Sequence, residues 1–275
     1  MLTKASVKKN IWSILEKFLP GMVFSYRRWL EEKALDTKTI VTPWGFKFSG
    51  NENMASGTFE PEETKMVRSL LSEVDVLVNI GANIGYYCLH GLSMGKEVIA
   101  FEPIQSNVEF LCKNVEVNNW AIEILPVALS KQKGILKIYG GGTGASLVKG
   151  WAGTSEKYFT YVPCSTVDTI LQNRLKGKKA LFIIDVEGAE QWVLEGSSMI
   201  LQNDPKPIWL IEIVTTQHQP DGRMNPNFAG TFEIMFNAGY KAFNANSEKQ
   251  ELFKSDVDDI QARAKTSKVY NFLFK

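Results

Sequence analysis

Val74-Asp-Val-Leu-Val-Asn-Ile-Gly-Ala-Asn-Ile-Gly85 is an almost unbroken, largely β-branched apolar run that closes on two nearby glycines. A short run of this kind suits a strand buried on both faces of a parallel sheet. Gly81 and Gly85 then permit a sharp turn and a close ligand approach, and Asn83 tolerates unusual backbone angles. Tyr86 to Met94 reads as a helix stopped by Gly95, and Glu97-Val-Ile-Ala-Phe-Glu102 as a second strand. Its final carboxylate arrives about 20 residues after the turn, where nucleotide-binding α/β folds place the acid that holds a ribose.

A dinucleotide fingerprint would need glycine at positions 83 and 86, but Asn83 and Tyr86 stand there. A pyrophosphate is badly served by that turn, which argues against an NAD-dependent oxidoreductase. A ligand with a ribose and no phosphate fits better, and S-adenosylmethionine is the commonest such cofactor on this fold. Four motifs in order, Asn79-Ile-Gly-Ala-Asn-Ile-Gly85, Phe101-Glu-Pro103, Pro126-Val-Ala-Leu-Ser130 and Ile184-Asp-Val-Glu-Gly-Ala-Glu190, resemble the FkbM family of S-adenosylmethionine-dependent methyltransferases, from about Thr58 to Phe274.

The resemblance implies an α/β, Rossmann-like class I methyltransferase fold: a seven-stranded, mostly parallel sheet with the last strand antiparallel. Residues 1–50 would be a helical and hairpin extension and residues 51–275 the methyltransferase domain. It also implies a cofactor site of Glu60, Asn79, Gly81, Asn83, Gly85, Glu102, Ile104 and Val127, with Ile104 and Val127 as apolar walls. The family usually has aspartate where this chain has Asn79, so a charge near the donor's amino group is missing.

The formal charge of +1 gives no reason to expect a nucleic-acid partner. Cys88, Cys112 and Cys164 are odd in number and set in apolar surroundings, as reduced core cysteines of a cytoplasmic protein would be. No stretch approaches the roughly 20 apolar residues of a transmembrane helix. Residues 1–35 carry aromatic and basic side chains at helical spacing, which suits packing, a homodimer contact or peripheral membrane association.

Further along, Thr39 to Phe48 reads as a hairpin, Asn51 to Gly57 as a polar loop, and Glu60-Pro-Glu-Glu63 as the opening of a helix. Ser106-Asn-Val-Glu109 has the spacing of a capping box. Strands at 134–139 and 158–163 flank the glycine-rich Gly140 to Gly150, read as a lid over the acceptor, with Trp151, Tyr158 and Phe159 available to stack on a sugar or to fill the core.

Asp185 ends the fourth strand, next to whatever the glycine turn holds. Methyl transfer to an alcohol needs a general base, for which Asp185, Glu187 and His218 are the candidates, His90 reading as structural. Asp185, Glu187 and Glu212 together offer an alternative, a divalent cation such as Mg that acidifies the hydroxyl. The expected reaction is O-methylation of a sugar in a glycan or glycolipid, or of a secondary metabolite. The rival readings are methylation of an amine or protein, and a non-catalytic cofactor-binding scaffold.

Overall fold

The computed structural model describes residues 21–22, 25–26, 37–246, 250–263 and 269–275. The expected amphipathic helices of residues 1–35 lie almost wholly outside them. No helix among the described residues is long and apolar enough to cross a membrane.

The quoted run forms strand β3 (Val76–Ile80), and all five of its residues are buried. Alternate side chains serve two cores, Val76, Val78 and Ile80 on one face of the sheet and Leu77 on the other. With β4 (Glu97–Phe101), β5 (Glu123–Leu125), β9 (Ala180–Ile184) and β10 (Ile208–Glu212) it makes the parallel part of an eight-stranded sheet. Here β1 (Ile40–Val41) and β2 (Lys47–Phe48) are the N-terminal hairpin, and β6 (Ala128–Leu129), β7 (Gly134–Tyr139) and β8 (Phe159–Ser165) form a separate three-stranded sheet. The far edge is β11 (Ala242–Asn244), β12 (Glu251–Leu252) and β13 (Asn271–Phe274), in the order β12-β11-β13-β10-β9-β3-β4-β5.

β13 runs antiparallel to both of its neighbours, β10 and β11, as expected for the last strand. The strand beyond the expected seven is the two-residue β12 at the edge. Phe182 stacks on Trp209 at 4.1 Å between ring centroids, joining β9 to β10 in the core.

Two local expectations are corrected, and one helix is added. Asn51 to Gly57 is not a loop but carries a helix, Glu52–Ser56, because Asn51 Oδ1 accepts from the amides of Asn53 and Met54 and Gly57 closes it in the left-handed region at φ 78°. The capping box at Ser106 does not form: the helix Gln105–Glu116 starts two residues earlier, with Ile104 in the cap position and no side-chain cap, and Glu102 accepts the Ile104 amide just ahead of it. The segment Lys254–Arg263, unread in the sequence, is a helix.

The hairpin is held to the main body. Asn114, fully buried, accepts from the Ser49 amide at 2.8 Å and donates to the carbonyls of Ser49 and Ile84, linking the hairpin to the glycine turn. His90 is buried among Trp44, Phe46 and Tyr86, each meeting it edge-on at centroid distances of 4.5, 5.0 and 4.8 Å. Arg68 donates to its Nδ1 at 3.0 Å. Burial and the Arg68 charge push its pKa down to about 3, so it is neutral and structural.

Candidate active site

The carboxyl ends of β3, β4 and β9 open onto one cleft that encloses about 570 Å³ of empty space, part of it continuous with solvent. Gly81, Asn83, Glu102, Ile104, Val127, Asp185 and Glu187 all line it, and among the described residues no lysine or arginine does. Seven residues singled out from the sequence thus meet in one place. Glu60, Asn79, Gly85, Glu212 and His218 do not line this cleft.

The two glycines serve the protein's own packing. A Cβ on Gly81, at φ +83°, would lie 1.8 Å from the Asp185 carbonyl oxygen, and one on Gly85, at φ +93°, would lie 2.2 Å from Leu111 Cδ1. Gly81 therefore lets β3 and β9 end side by side, which is what brings Asp185 to the turn. Asn79 is buried beneath the turn, on the side of the helix Tyr86–Ser93: its Nδ2 faces Cys88 Sγ at 3.4 Å, and its Oδ1 has no partner among the described residues.

Glu102 is 4 % exposed, and both its oxygens are engaged. Oε2 accepts the Asn83 amide at 2.8 Å, while Oε1 accepts the Ile104 amide at 2.8 Å and Asn107 Nδ2 at 3.2 Å. Burial pushes its pKa up to about 6 against those three donors. Asn107, which the sequence did not reveal, also holds the glycine-rich segment by donating to the Gly142 carbonyl at 3.1 Å.

Gly142, Thr143, Ala145 and Leu147 of that segment line the same cleft as Glu102, Ile104, Asp185 and Glu187, so the segment forms one wall of it. Trp151 is 1 % exposed and belongs to the core, so it is not a stacking platform; its indole nitrogen donates to Glu187 Oε2 at 2.7 Å. His218 sits beyond it, exposed, with its ring centroid 5.9 Å from that of Trp151.

After β9 the chain crowds carboxylates. Enclosure by protein, and then the charges of Glu212, Glu187 and Glu190, hold Asp185 well above the usual carboxylate range. The Asp185 side chain remains open to the cleft, and the like charges alone would give that direction. Burial and neighbouring acids push Glu212 up to about 9, and burial pushes Glu190 up to about 7. Glu190 is buried, not a surface acid, and accepts the Gly188 amide at 2.9 Å, which fixes the 185–190 loop.

No group of three or more His, Cys, Asp or Glu side chains among the described residues is arranged to hold a metal ion. The Asp185, Glu187 and Glu212 triad is therefore not a preformed cation site: Glu187 is drawn to Trp151 instead.

Glu60 and Glu63 line a separate surface depression together with Tyr270 and Asn271. Glu60 occupies the first position before the helix Pro61–Leu71 at φ 39°, yet its side chain makes no capping bond, contrary to a plain helix-start acid. The Tyr87 hydroxyl lies 3.1 Å from Glu60 Oε2 and 2.8 Å from Glu63 Oε1, and Asn271 Nδ2 donates to Glu63 Oε2. One phenolic proton cannot serve both acids at once. Burial, and then the Glu60 charge, push Glu63 up to about 7. Glu63 lies one helical turn from Glu60, the signal that would have found it.

These raised values fix a pH dependence. A carboxylate whose folded pKa exceeds its unfolded one keeps extra protons in the folded state, so stability falls as pH rises through that interval. With Glu102 at about 6, Glu63 and Glu190 at about 7 and Glu212 at about 9, the melting temperature of the ligand-free protein is expected to fall steadily between about pH 5 and pH 9. A calorimetric pH series checks this, and a rise over that interval would refute the burial of these acids.

Among solved structures, the chain is similar to the precorrin-6y C5,15-methyltransferase of Geobacter metallireducens GS-15, at 11 % identity and a TM-score of 0.43, covering 82 % of this chain and 94 % of that one. It is similar also to an O-methyltransferase of Bacillus cereus in complex with SAH, at 12 % identity and a TM-score of 0.43 over 81 % and 83 % of the two chains. No curated protein matches it. The sequence profile described as "Methyltransferase FkbM domain" matches residues 79–242, from the asparagine of β3 into the first residue of β11, and so spans the turn, Glu102, the glycine-rich segment and the acidic loop in a single stretch. That match covers more than half of the chain, and the chain belongs to the FkbM methyltransferase family.

Proposed function

We propose that the protein transfers the methyl group of S-adenosylmethionine to a hydroxyl of a sugar, in a glycan or glycolipid, or of a secondary metabolite. The observation that carries this reading is the single cleft in which Glu102, the apolar Ile104 and Val127, and the carboxylate of Asp185 face the same space, with no basic residue among its described lining. Such a lining fits a cationic nucleoside: Glu102 would hold the ribose, Ile104 and Val127 the adenine, and Asp185 would offset the positive charge. When bound, the donor supplies a methyl group on a sulfonium.

The chain's own part is alignment, exclusion of water and removal of the acceptor's proton. Asp185 and Glu187 line the cleft and have proton affinities raised above the ordinary carboxylate range, the direction a general base at neutral pH needs. His218 remains a base only for an acceptor lying across Trp151. The acids crowded around Asp185, with Glu212 beside the cleft and not in its lining, favour one further reading, an amine-bearing acceptor drawn in by charge.

Calorimetric titration with S-adenosylmethionine, S-adenosylhomocysteine and NAD tests the donor. Binding of the first two without NAD is expected, and binding of NAD alone would overturn the reading. Transfer of labelled methyl to sugars, glycolipids and amines in parallel then separates hydroxyl from amine acceptors, and any turnover eliminates a scaffold role. Glu102→Ala is expected to weaken S-adenosylhomocysteine about 10- to 100-fold, the loss of one or two hydrogen bonds to a charged group. Unchanged affinity would remove Glu102 from the ribose.

A further inference from the structure

Trp151 stands out because it belongs to the glycine-rich connection between β7 and β8 yet is among the largest fully buried side chains. Its ring occupies the space that Gly188 leaves: a Cβ there would lie 2.4 Å from Trp151 Cζ3. Its indole N–H does not go to the backbone but to Oε2 of Glu187, at 2.7 Å. The same connection grips this region twice more. Ser146 Oγ donates to the Glu187 carbonyl at 2.5 Å, and the Ala152 amide donates to the His218 carbonyl at 2.6 Å.

Glu187, Ala152 and His218 all have positive φ, at 55°, 51° and 61°, a region that non-glycine residues adopt uncommonly. Backbone and indole together therefore specify where the Glu187 carboxylate points. The residues just before Trp151 in the same connection, Gly142, Thr143, Ala145 and Leu147, line the cleft, whereas Trp151 itself does not.

We infer that Trp151 is a positioning residue: its indole N–H holds the Glu187 carboxylate at the cleft wall, so that seating the glycine-rich segment over the donor and aiming that negative charge at the donor are one event. The inference rests on the reading that S-adenosylmethionine occupies the cleft. Acting through Glu187, Trp151 would favour the sulfonium of the donor over the neutral thioether of S-adenosylhomocysteine, since the two differ there by one methyl group and one charge. An indole N–H bond also supports the ionised carboxylate against burial.

The test is a double-variant cycle on the full chain, titrating wild type, Trp151→Phe, Glu187→Gln and the double variant with S-adenosylmethionine and with S-adenosylhomocysteine. Each single variant is expected to weaken S-adenosylmethionine about tenfold, the scale of one hydrogen bond to a charged group, and to leave S-adenosylhomocysteine unchanged. The double variant should bind no more weakly than Glu187→Gln. Unchanged S-adenosylmethionine affinity in Trp151→Phe, equal loss of both ligands, or effects that simply add would each overturn the inference.

A second arm needs only the wild type and Glu187→Gln, with Trp151→Phe used to assign the signal. The Trp151 indole resonance in a proton–nitrogen spectrum should move upfield in Glu187→Gln while the other indoles stay. A stationary Trp151 resonance would refute the bond on which the inference stands. Wild-type protein that binds neither ligand would bring down the donor reading, and the inference about donor charge with it.

Discussion

Asp185→Asn is expected to lower methyl transfer by about 10²- to 10⁴-fold, the usual contribution of a positioned general base, while the protein keeps its fold and its hold on S-adenosylhomocysteine. The separation is possible because of where the side chain stands. Asp185 follows directly on β9, and its backbone amide is bonded to the Ile80 carbonyl at 3.0 Å, so the strand pair does not depend on the carboxylate. The side chain is open to the cleft, and an amide of the same shape there leaves no buried group unpaired. Removing its charge also relieves repulsion with Glu212 and Glu187, so the melting temperature at neutral pH should hold or rise. Retained turnover in Asp185→Asn with loss in Glu187→Gln would move the base role to Glu187. Retention in both would leave His218.

Gly81→Ala should be the most damaging single methyl group in the chain, at about 3–5 kcal/mol, the sum of backbone strain and overpacking. At φ +83° any side chain is strained, and this one would collide with the Asp185 carbonyl, a backbone atom that cannot rotate away. Relief requires the ends of β3 and β9 to part, which displaces Asp185 from the turn. Both stability and turnover should therefore fall together, against a total stability that is typically about 5–15 kcal/mol. Gly95→Ala is the control: its φ is +70° but nothing lies within 4 Å, so it should show strain alone, about 1–2 kcal/mol. Denaturant unfolding of the two variants measures the difference, and equal losses would mean that β3 and β9 do not approach so closely.

The sequence made the centre of the molecule legible and left its margins obscure, for physical reasons. β3 and β9 are apolar throughout because both faces are covered, and such runs announce themselves. Glu102 and Asp185 were recognisable because each follows directly on a strand of that kind. Trp151 was not, since an aromatic after a glycine-rich stretch carries no sign of whether it faces a ligand or Gly188. The partnership of Tyr87 with Glu60 and Glu63 depends on how two helices pack, and Asn271 reaches Glu63 across 208 positions. The helix Glu52–Ser56 was missed for a simpler reason: Asn51 and Gly57, its two caps, are also common loop residues.

β13 has a role that outlasts its four residues. Among the described residues β11 pairs only with β12 and β13, so there β11 and β12 are joined to the other strands of the sheet through β13 alone. Amide hydrogens along β11 and β12 should then exchange as one cooperative unit, released whenever β13 peels from β10. Because the same opening carries Asn271 away from Glu63, slow exchange at that edge and the proton affinity of Glu63 are two reports of a single breathing motion.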